Sequence, residues 1–404
     1  MKKYDRITPD GTGDSVFVEC DANYQVVETL RRLFKSYGYG EIRTPTIEFF
    51  DAFSHGIGKI SQDTLYTLTD NNGRLLSLRP DSTKPVARLF ASRLYKKQSP
   101  LRIYYNQHVF RRSIKFCKKS DEYLQTGVEL IDSASIKADV EVITLAVKSM
   151  KALFGDDFYI EIGHMGLLRP LLNAIEDEDI RREVRSAIAL KNYPEIDRLS
   201  GIIGNAGNVL REIPRLFGAP SVLDYAGFIF KSDTTRAVLS DLKSLCNVAA
   251  TASSKDNVLA DLAVLNEYEY YTGAVFRGYI KGQGVAILSG GRYDTLYSDY
   301  NLNVPAVGFA INTDLASRII LEKTSAETPQ ENIAVLFSKF DDANLEQQLK
   351  VYAKKGYKTL TALFDLQTDA RNYAIAVGAK MFVVLNDGVV YEENIGPQPN
   401  DPKR

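Results

Sequence analysis

Residues 78–83 read Leu-Arg-Pro-Asp-Ser-Thr, and they follow directly on a short apolar run. That run, 75–79, has the β-branched and apolar character of a strand, and the proline after it marks the end of the strand. Asp81 and Thr83 therefore stand just beyond a strand terminus, a common place for polar side chains that bind ligands.

A second polar segment, 124–129 (Leu-Gln-Thr-Gly-Val-Glu), belongs to a predicted strand over 123–131. Side chains alternate along a strand, so Gln125 and Glu129 share one face. With the acid and hydroxyl that follow the first strand, these acceptors could bind an ammonium group and a second cationic or N–H donor group. Each of them taken alone is also an ordinary solvated strand residue.

The elements around these segments predict an α+β fold. Helices are predicted at 23–37, where Gly38 follows as the C-cap, and at 137–153. Strands are predicted where β-branched and aromatic residues cluster: 41–47, 65–68, 75–79, 101–111, 123–131 and 157–162. Strands grouped with strands favour an antiparallel or mixed sheet over repeated βαβ units.

The remaining sequence predicts the domain organisation. Strands are expected again at 269–280 and 284–289, a Gly-Gly-Arg turn at 290–292, and a helix near 309–322. The predicted domains are a first sheet-bearing part at 1–165, a helical insertion at 166–256, a second sheet-bearing part at 257–322, a small α/β domain at 332–395 and a disordered tail at 396–404.

Composition excludes several classes of protein. The net charge of −1 gives no global basic field, which disfavours a nucleic-acid binder. No apolar run approaches the roughly 20 residues of a membrane span, and the polar N-terminus lacks a signal sequence. We therefore expect a cytoplasmic protein without a membrane partner.

Neither a metal site nor a disulfide framework is predicted, and no cofactor is expected. The cysteines are widely spaced, odd in number and without a CxxC pair: Cys20, Cys117 and Cys246. The histidines lack metal-ligand spacing, and structural hydrogen-bonded roles are favoured for them: His55, His108 and His164.

Taken in order, the motifs resemble those of class II histidyl-tRNA synthetases over nearly the whole chain. The segments that carry the resemblance are 38–45 (motif one, which forms the dimer), 78–83 with 101–111 and 124–129 (motif two and the histidine-binding strand), 265–276 with 290–294 (the histidine loop and GGRYD), and 306–310 (motif three). The resemblance implies the class II antiparallel sheet, with a helical insertion between motifs two and three and a small C-terminal anticodon-binding-like domain.

The resemblance also implies a histidine-binding site. Asp81, Thr83 and Gln125 match residues that hold the α-ammonium group, Asp81 being a shortened version of a family glutamate. The residues that match imidazole-binding positions are Glu129 and Tyr271, with Tyr270 beside them, and Arg111 is the retained arginine of motif two. A carboxylate and a hydroxyl suit the two nitrogens of an imidazole.

Three positions depart from the family pattern. Asn266 stands where the family has an arginine that neutralises the substrate carboxylate and α-phosphate, Ser113 replaces an acid that helps place ATP, and Leu315 replaces the motif-three arginine. Arg318, nearly one turn on, is a weaker candidate for that last role. Adenylate formation needs such groups around the phosphates, so we expect no catalytic residues and no useful aminoacylation.

Retained histidine recognition without this chemistry resembles the regulatory subunits of ATP phosphoribosyltransferase, a glycosyltransferase of histidine biosynthesis. This implies a short-form catalytic subunit as partner, a homodimer through motif one within a hetero-octamer, and histidine as a feedback effector. An active histidyl-tRNA synthetase is the alternative. An RNA-binding paralogue, and tRNA as a partner, are disfavoured by the net charge and by 366–372, which lacks the family's usual lysines.

Overall fold

The structure is a computed structural model, and it describes residues 4, 6–95, 97, 99–112, 120–264, 270–324, 332–338, 343–386 and 389–396. The chain divides into two units, Met1–Lys323 and Thr324–Arg404. Within the described ranges, no helix is long and apolar enough to cross a membrane.

The first unit contains helices and strands in alternating groups. Its helices are α1 (Val18–Ser36), α2 (Asp51–Ser54), α3 (Thr83–Leu89), α4 (Ile136–Phe154), α5 (Met165–Asn173), α6 (Glu178–Ala189), α7 (Tyr193–Ile203), α8 (Asn205–Glu212), α9 (Val222–Ile229), α10 (Asp233–Ala252) and α11 (Thr313–Thr324). Its strands are β1 (Gly40–Glu41), β2 (Ile47–Phe49), β3 (Thr67–Thr69), β4 (Leu75–Leu78), β5 (Leu101–Phe110), β6 (Glu122–Ile131), β7 (Phe158–His164), β8 (Phe217–Gly218), β9 (Val258–Asp261), β10 (Ala274–Ile280), β11 (Leu288–Arg292) and β12 (Ala306–Asn312).

The main sheet has the strand order β1-β5-β6-β12-β11-β10-β7-β9-β8. Its centre, from β5 to β7, is antiparallel, whereas the pairs β1–β5 and β7–β9 are parallel. A smaller antiparallel sheet, β2-β4-β3, precedes α3. The predicted α+β class with an antiparallel central sheet is confirmed.

Helices α1 and α4 pack their apolar stripes into the main core. Val26, Leu30 and Phe34 of α1 are buried and follow the four-residue spacing of one helix face. The helix is longer than predicted and begins at Val18. The left-handed φ of Gly38 (79°) accompanies the end of the helix, as expected for a glycine C-cap.

The prediction of one strand over 41–47 is wrong. The chain leaves the ladder after β1 and rejoins a different sheet at β2, because Pro45 between them has no N–H to donate. The backbone there is satisfied by side chains instead. Gln107 Oε1 accepts from the Thr44 N–H at 3.3 Å, and Arg79 Nη1 donates to the carbonyls of Thr44 (2.8 Å) and Pro45 (3.1 Å).

Two predictions near motif three are also wrong. The Gly-Gly-Arg stretch 290–292 is part of β11 rather than a turn, and 306–312 forms β12, so the helix predicted near 309–322 begins only at Thr313. The glycines serve packing between strands. A Cβ on Gly290 would lie 2.5 Å from the Cβ of Phe309, closer than real contacts allow.

The segment between β7 and β10 is mainly helical, comprising α5 to α10, but it also contributes the two-residue β8, which pairs with β9 at the sheet edge. The second unit contains α12 (Ala343–Lys354), α13 (Gln367–Ala376), β13 (Ile333–Ser338), β14 (Lys358–Thr361), β15 (Met381–Asn386) and β16 (Val389–Asn394). The order β14-β13-β15-β16 is parallel except for β16, which the sequence did not predict. From residue 397 onward, the tail predicted at 396–404 lies outside the described residues.

Candidate amino-acid binding site

Two glycines at the centre of the main sheet leave room for large polar side chains on one of its faces. Glu129 on β6 pairs in register with Gly308 on β12, and Tyr105 on β5 pairs with Gly127 on β6. A Cβ on Gly308 would collide with the Glu129 carboxylate, and one on Gly127 would collide with the Tyr105 hydroxyl. The absence of side chains at these glycines therefore allows a carboxylate and a phenol to lie side by side on a packed sheet.

Hydroxyl groups surround the Glu129 carboxylate. Oε1 accepts from Thr83 Oγ1 at 3.0 Å and from the Tyr105 hydroxyl at 3.4 Å, and Oε2 accepts from the Tyr293 hydroxyl. Among the described residues, no lysine or arginine forms an ion pair with it. Burial, with only 1% of the residue exposed, raises the pKa of Glu129 to about 8, although the hydroxyl donors act against this rise.

Two further acceptors lack donors. Asp81 is buried just after β4, and while its Oδ1 accepts from the Lys84 N–H at 3.3 Å, its Oδ2 has no hydrogen-bond partner among the described residues. The same holds for Oε1 of Gln125. Burial raises the pKa of Asp81 to about 6, and the charges of Lys84 and Arg111 oppose the rise. Buried acceptors without donors are unfavourable, so both atoms are suited to a ligand that brings N–H groups.

Tyrosine rings form one wall of this site. Tyr270 packs against Tyr271 and Tyr293, with ring centroids 4.8 Å and 5.5 Å apart. Gly291 makes room for this packing, because a Cβ there would lie 2.7 Å from the Tyr271 ring. Burial raises the pKa of Tyr271 and the charge of Glu129 raises it further, so the hydroxyl stays protonated and can donate.

The structure places Asp81, Thr83, Glu129, Tyr270 and Tyr271 around one part of the sheet, and Gln125 lies on the same face of β6 as Glu129. It adds Tyr105 and Tyr293, which sequence reasoning missed. Tyr105 has the strand parity that faces Gly127, and Tyr293 stands within the GGRYD motif, so both signals were present in the sequence. What identifies them is the shared hydrogen-bond acceptor, which only the fold reveals.

The structure describes only some of the positions that the family resemblance assigns to the other end of the site. Arg111 directly follows β5, its backbone N–H donates to the Asp121 carbonyl at 2.7 Å, and its charge opposes the rise in the pKa of Asp81. Leu315 lies in the first turn of α11 and packs against the main core. Asn266 and Ser113 lie outside the described residues.

Arg318 lies on the opposite face of the sheet. It lines a groove of about 1040 Å³ together with Asn106 and Thr126, whose side chains alternate away from Gln125 and Glu129. The guanidinium therefore does not line the amino-acid site. The structure does not support Arg318 as a substitute for the motif-three arginine.

The chain is similar to known proteins in both sequence and fold. The family model described as histidyl-tRNA synthetase matches residues 11–315. An ATP phosphoribosyltransferase regulatory subunit from Clostridium kluyveri is 31% identical over 95% of this chain and all of its own length, and one from Clostridium acetobutylicum is 32% identical over 98% of each chain.

A solved structure from Bacillus halodurans, described as an ATP phosphoribosyltransferase regulatory subunit/histidyl-tRNA synthetase, has a TM-score of 0.79 and 27% identity, covering 92% of this chain and 97% of its own. The similarity therefore spans both the sheet that carries the site and the small C-terminal unit. The chain belongs to the histidyl-tRNA synthetase family and, within it, to the ATP phosphoribosyltransferase regulatory subunits.

Proposed function

We propose that this chain is the non-catalytic regulatory subunit of an ATP phosphoribosyltransferase, the enzyme of the first step of histidine biosynthesis. In this proposal it activates a short catalytic subunit and conveys feedback inhibition by histidine. The relatives named above support the first part. The observation that carries the second is the pair of buried acceptors, Asp81 Oδ2 and Gln125 Oε1, beside a buried carboxylate that contacts only hydroxyl donors.

Histidine carries N–H groups that fit the acceptors for which this site provides no donor. Its α-ammonium group supplies N–H donors to Asp81 and Gln125. Its imidazole N–H would then replace or join a hydroxyl donor at Glu129, and the hydroxyl of Tyr271 suits the second ring nitrogen. The tyrosine wall covers the ring faces, and hydrogen bonds to charged groups in a buried site are the stronger kind.

The proposal assigns no chemistry to the site. Activating histidine with ATP requires cations at the phosphates, because charge develops there in the transition state. The positions where the family resemblance places two such arginines hold Asn266 and Leu315, and an acid position holds Ser113. Since Leu315 packs into the core and Arg318 lies on the other face, the described residues support binding without activation.

Regulation follows from linkage between two sites. If bound histidine favours a less active arrangement of the complex, that arrangement must bind histidine more tightly by the same factor. We propose that the complex contains a homodimer of this chain formed through 38–45 and assembles as a cytoplasmic hetero-octamer. Histidine should therefore bind the assembled complex and the isolated chain with different affinities.

The direct test adds the purified chain to a short-form catalytic subunit and measures phosphoribosyl-ATP formation with and without histidine. We expect the chain to raise the rate and histidine to lower it again, and Glu129→Ala to keep the activation while losing the inhibition. A rate that does not respond to the chain would overturn the proposed function. Inhibition that survives Glu129→Ala would overturn the assignment of the pocket.

A further inference from the structure

Lys84 has a buried ammonium group that forms no hydrogen bond described so far. It lies in the first turn of α3, directly after Thr83, and only 4% of the residue is exposed. Its Nζ donates to the His55 carbonyl at 3.1 Å, and no described carboxylate lies within ion-pair distance. A buried ammonium held by a carbonyl alone is unfavourable for folding, so a role in function is a reasonable expectation.

The carbonyl that Lys84 binds belongs to residues 55–58, His-Gly-Ile-Gly, which we call the strap. The Ile57 N–H donates to both carboxylate oxygens of Asp299, at 3.1 Å and 3.0 Å. Gly56 and Gly58 have left-handed φ angles of 75° and 64°, which side-chain-bearing residues rarely adopt. A Cβ at Gly56 would also collide with the Asp299 carboxylate. The strap is therefore held at two points by charged side chains.

The far end of the strap lies against the tyrosine wall. A Cβ at Gly58 would collide with the Tyr270 ring, so the backbone of the strap packs directly on that ring. Tyr270 in turn packs edge-on against Tyr293, which donates to Glu129. A displacement of the strap would therefore free Tyr270 to move and, through it, the hydroxyl that holds the carboxylate.

The first turn of α3 links both sides of this arrangement. The Thr83 hydroxyl donates to Glu129, the Lys84 N–H donates to Asp81, and the Lys84 side chain reaches the strap. One helical turn thus contacts both acids of the site and the segment that backs its wall. Asp299 holds the strap at Ile57, and its charge acts on Lys84 together with that of Asp81.

We propose that Lys84 and Asp299 are positioning residues that clamp the strap against Tyr270 and so preorganise the wall of the amino-acid site. Neither residue contacts the ligand in this proposal. They raise affinity because a wall already in place costs less ordering when the ligand binds. The proposal rests on the proposed histidine site and adds the residues that set how tightly this site binds.

The test compares Lys84→Met, which keeps the length of the side chain, with Lys59→Met at an exposed lysine next to the strap. Histidine affinity is measured by isothermal titration with the full chain, and amide hydrogen exchange is followed at 55–58. Lys84→Met should weaken binding about five-fold, whereas Lys59→Met should not. Without histidine, exchange at Ile57 should be faster in Lys84→Met than in the wild type, because the strap has lost one of its two charged contacts.

Asp299→Asn provides a second variant and should weaken binding in the same direction, so the proposal stays testable if Lys84→Met does not fold. Activation of the catalytic subunit without histidine should be unchanged in both, which separates positioning from general destabilisation. Wild-type affinity in the folded variants, or strap exchange that is no faster in Lys84→Met than in the wild type, would overturn the clamp. Wild-type affinity in Glu129→Gln as well would instead show that the histidine site itself is wrongly assigned.

Discussion

The two ends of the candidate pocket differ in what they offer a ligand. The end formed by β6 and α3 presents two buried carboxylates, Glu129 and Asp81, and two atoms, Asp81 Oδ2 and Gln125 Oε1, that lack donors among the described residues. At the start of α11, Leu315 stands where the family resemblance places a cation, and it packs against the main core. Recognition of an amino acid depends on the first end, whereas its activation with ATP depends on the second. The difference suggests that recognition and activation separate along the pocket.

A third buried carboxylate in the same unit has a structural role, and its partners differ from those of Glu129. Asp139 on α4 is also buried, but Arg292 donates to it through Nε at 2.9 Å and Nη2 at 2.6 Å. Paired charges of this kind are satisfied within the protein. Glu129 is as deeply buried and has no such cation among the described residues. This contrast favours Glu129 as a ligand-binding group over a structural one.

The largest effect on the recognition end is expected from Glu129→Gln. The amide keeps the shape but loses the charge, so histidine affinity should fall by about 10- to 100-fold, the worth of a hydrogen bond to a charged group. Glu122→Gln is the matched control, because Glu122 lies on the same strand and lines the groove on the opposite face. Calorimetric titration measures both. Equal losses in the two variants would mean a general effect on the sheet.

Asp81→Asn should weaken binding about ten-fold, because the α-ammonium group loses its charged acceptor. The loss should depend on the ammonium group of the ligand. Imidazole-propionate, which lacks that group, should bind the wild type and the variant equally weakly. If Asp81→Asn weakened imidazole-propionate as much as histidine, the carboxylate would not be the ammonium-binding group.

Histidine affinity should rise with pH. Burial raises the pKa of Glu129 to about 8, so below that value the carboxyl is mostly protonated, and binding an N–H donor must displace the proton. The ionised fraction of such a group grows about five-fold between pH 7 and pH 8, and affinity should follow it. Titrations in buffers of different ionisation enthalpy should show proton release. Affinity that falls over this range would contradict the assignment.

The smallest effect is expected from Thr83→Val, which removes the 3.0 Å donor to Glu129 without changing the shape of the side chain. Histidine affinity should fall about three-fold, at the low end of the typical net worth of one hydrogen bond. Thr126→Val is the control, since the Thr126 hydroxyl donates to Asn106 on the opposite face. An unchanged affinity in Thr83→Val would show that this donor does not orient the carboxylate.

The sequence predicted correctly that Gln125 and Glu129 share a strand face, because strand alternation is local. An even separation sufficed to place Gln125 and Glu129 on one face, and the register of β6 with β12 keeps them there. Tyr293 could not be assigned in this way, since its contact with Glu129 joins β6 to the loop that follows β11. Such a contact depends on the strand order, which local patterns do not specify.

The incorrect predictions have local physical causes. The stretch 41–47 has strand-like residues throughout, yet Pro45 and the side-chain bonds from Gln107 and Arg79 divide it between two sheets. The pair Gly290 and Gly291 looks like a turn in sequence but serves close packing inside the sheet. A glycine pair looks the same in the sequence whether it lies in a strand or in a turn. Only the aromatic rings that pack against these glycines in the fold identify them as strand residues.

The most direct test of separated recognition and activation is histidine-dependent exchange of pyrophosphate into ATP by the purified chain. The account predicts no exchange above the level without histidine, at histidine concentrations where calorimetry shows the pocket to be occupied. Robust histidine-dependent exchange would contradict it, and would identify the chain as an active histidyl-tRNA synthetase instead.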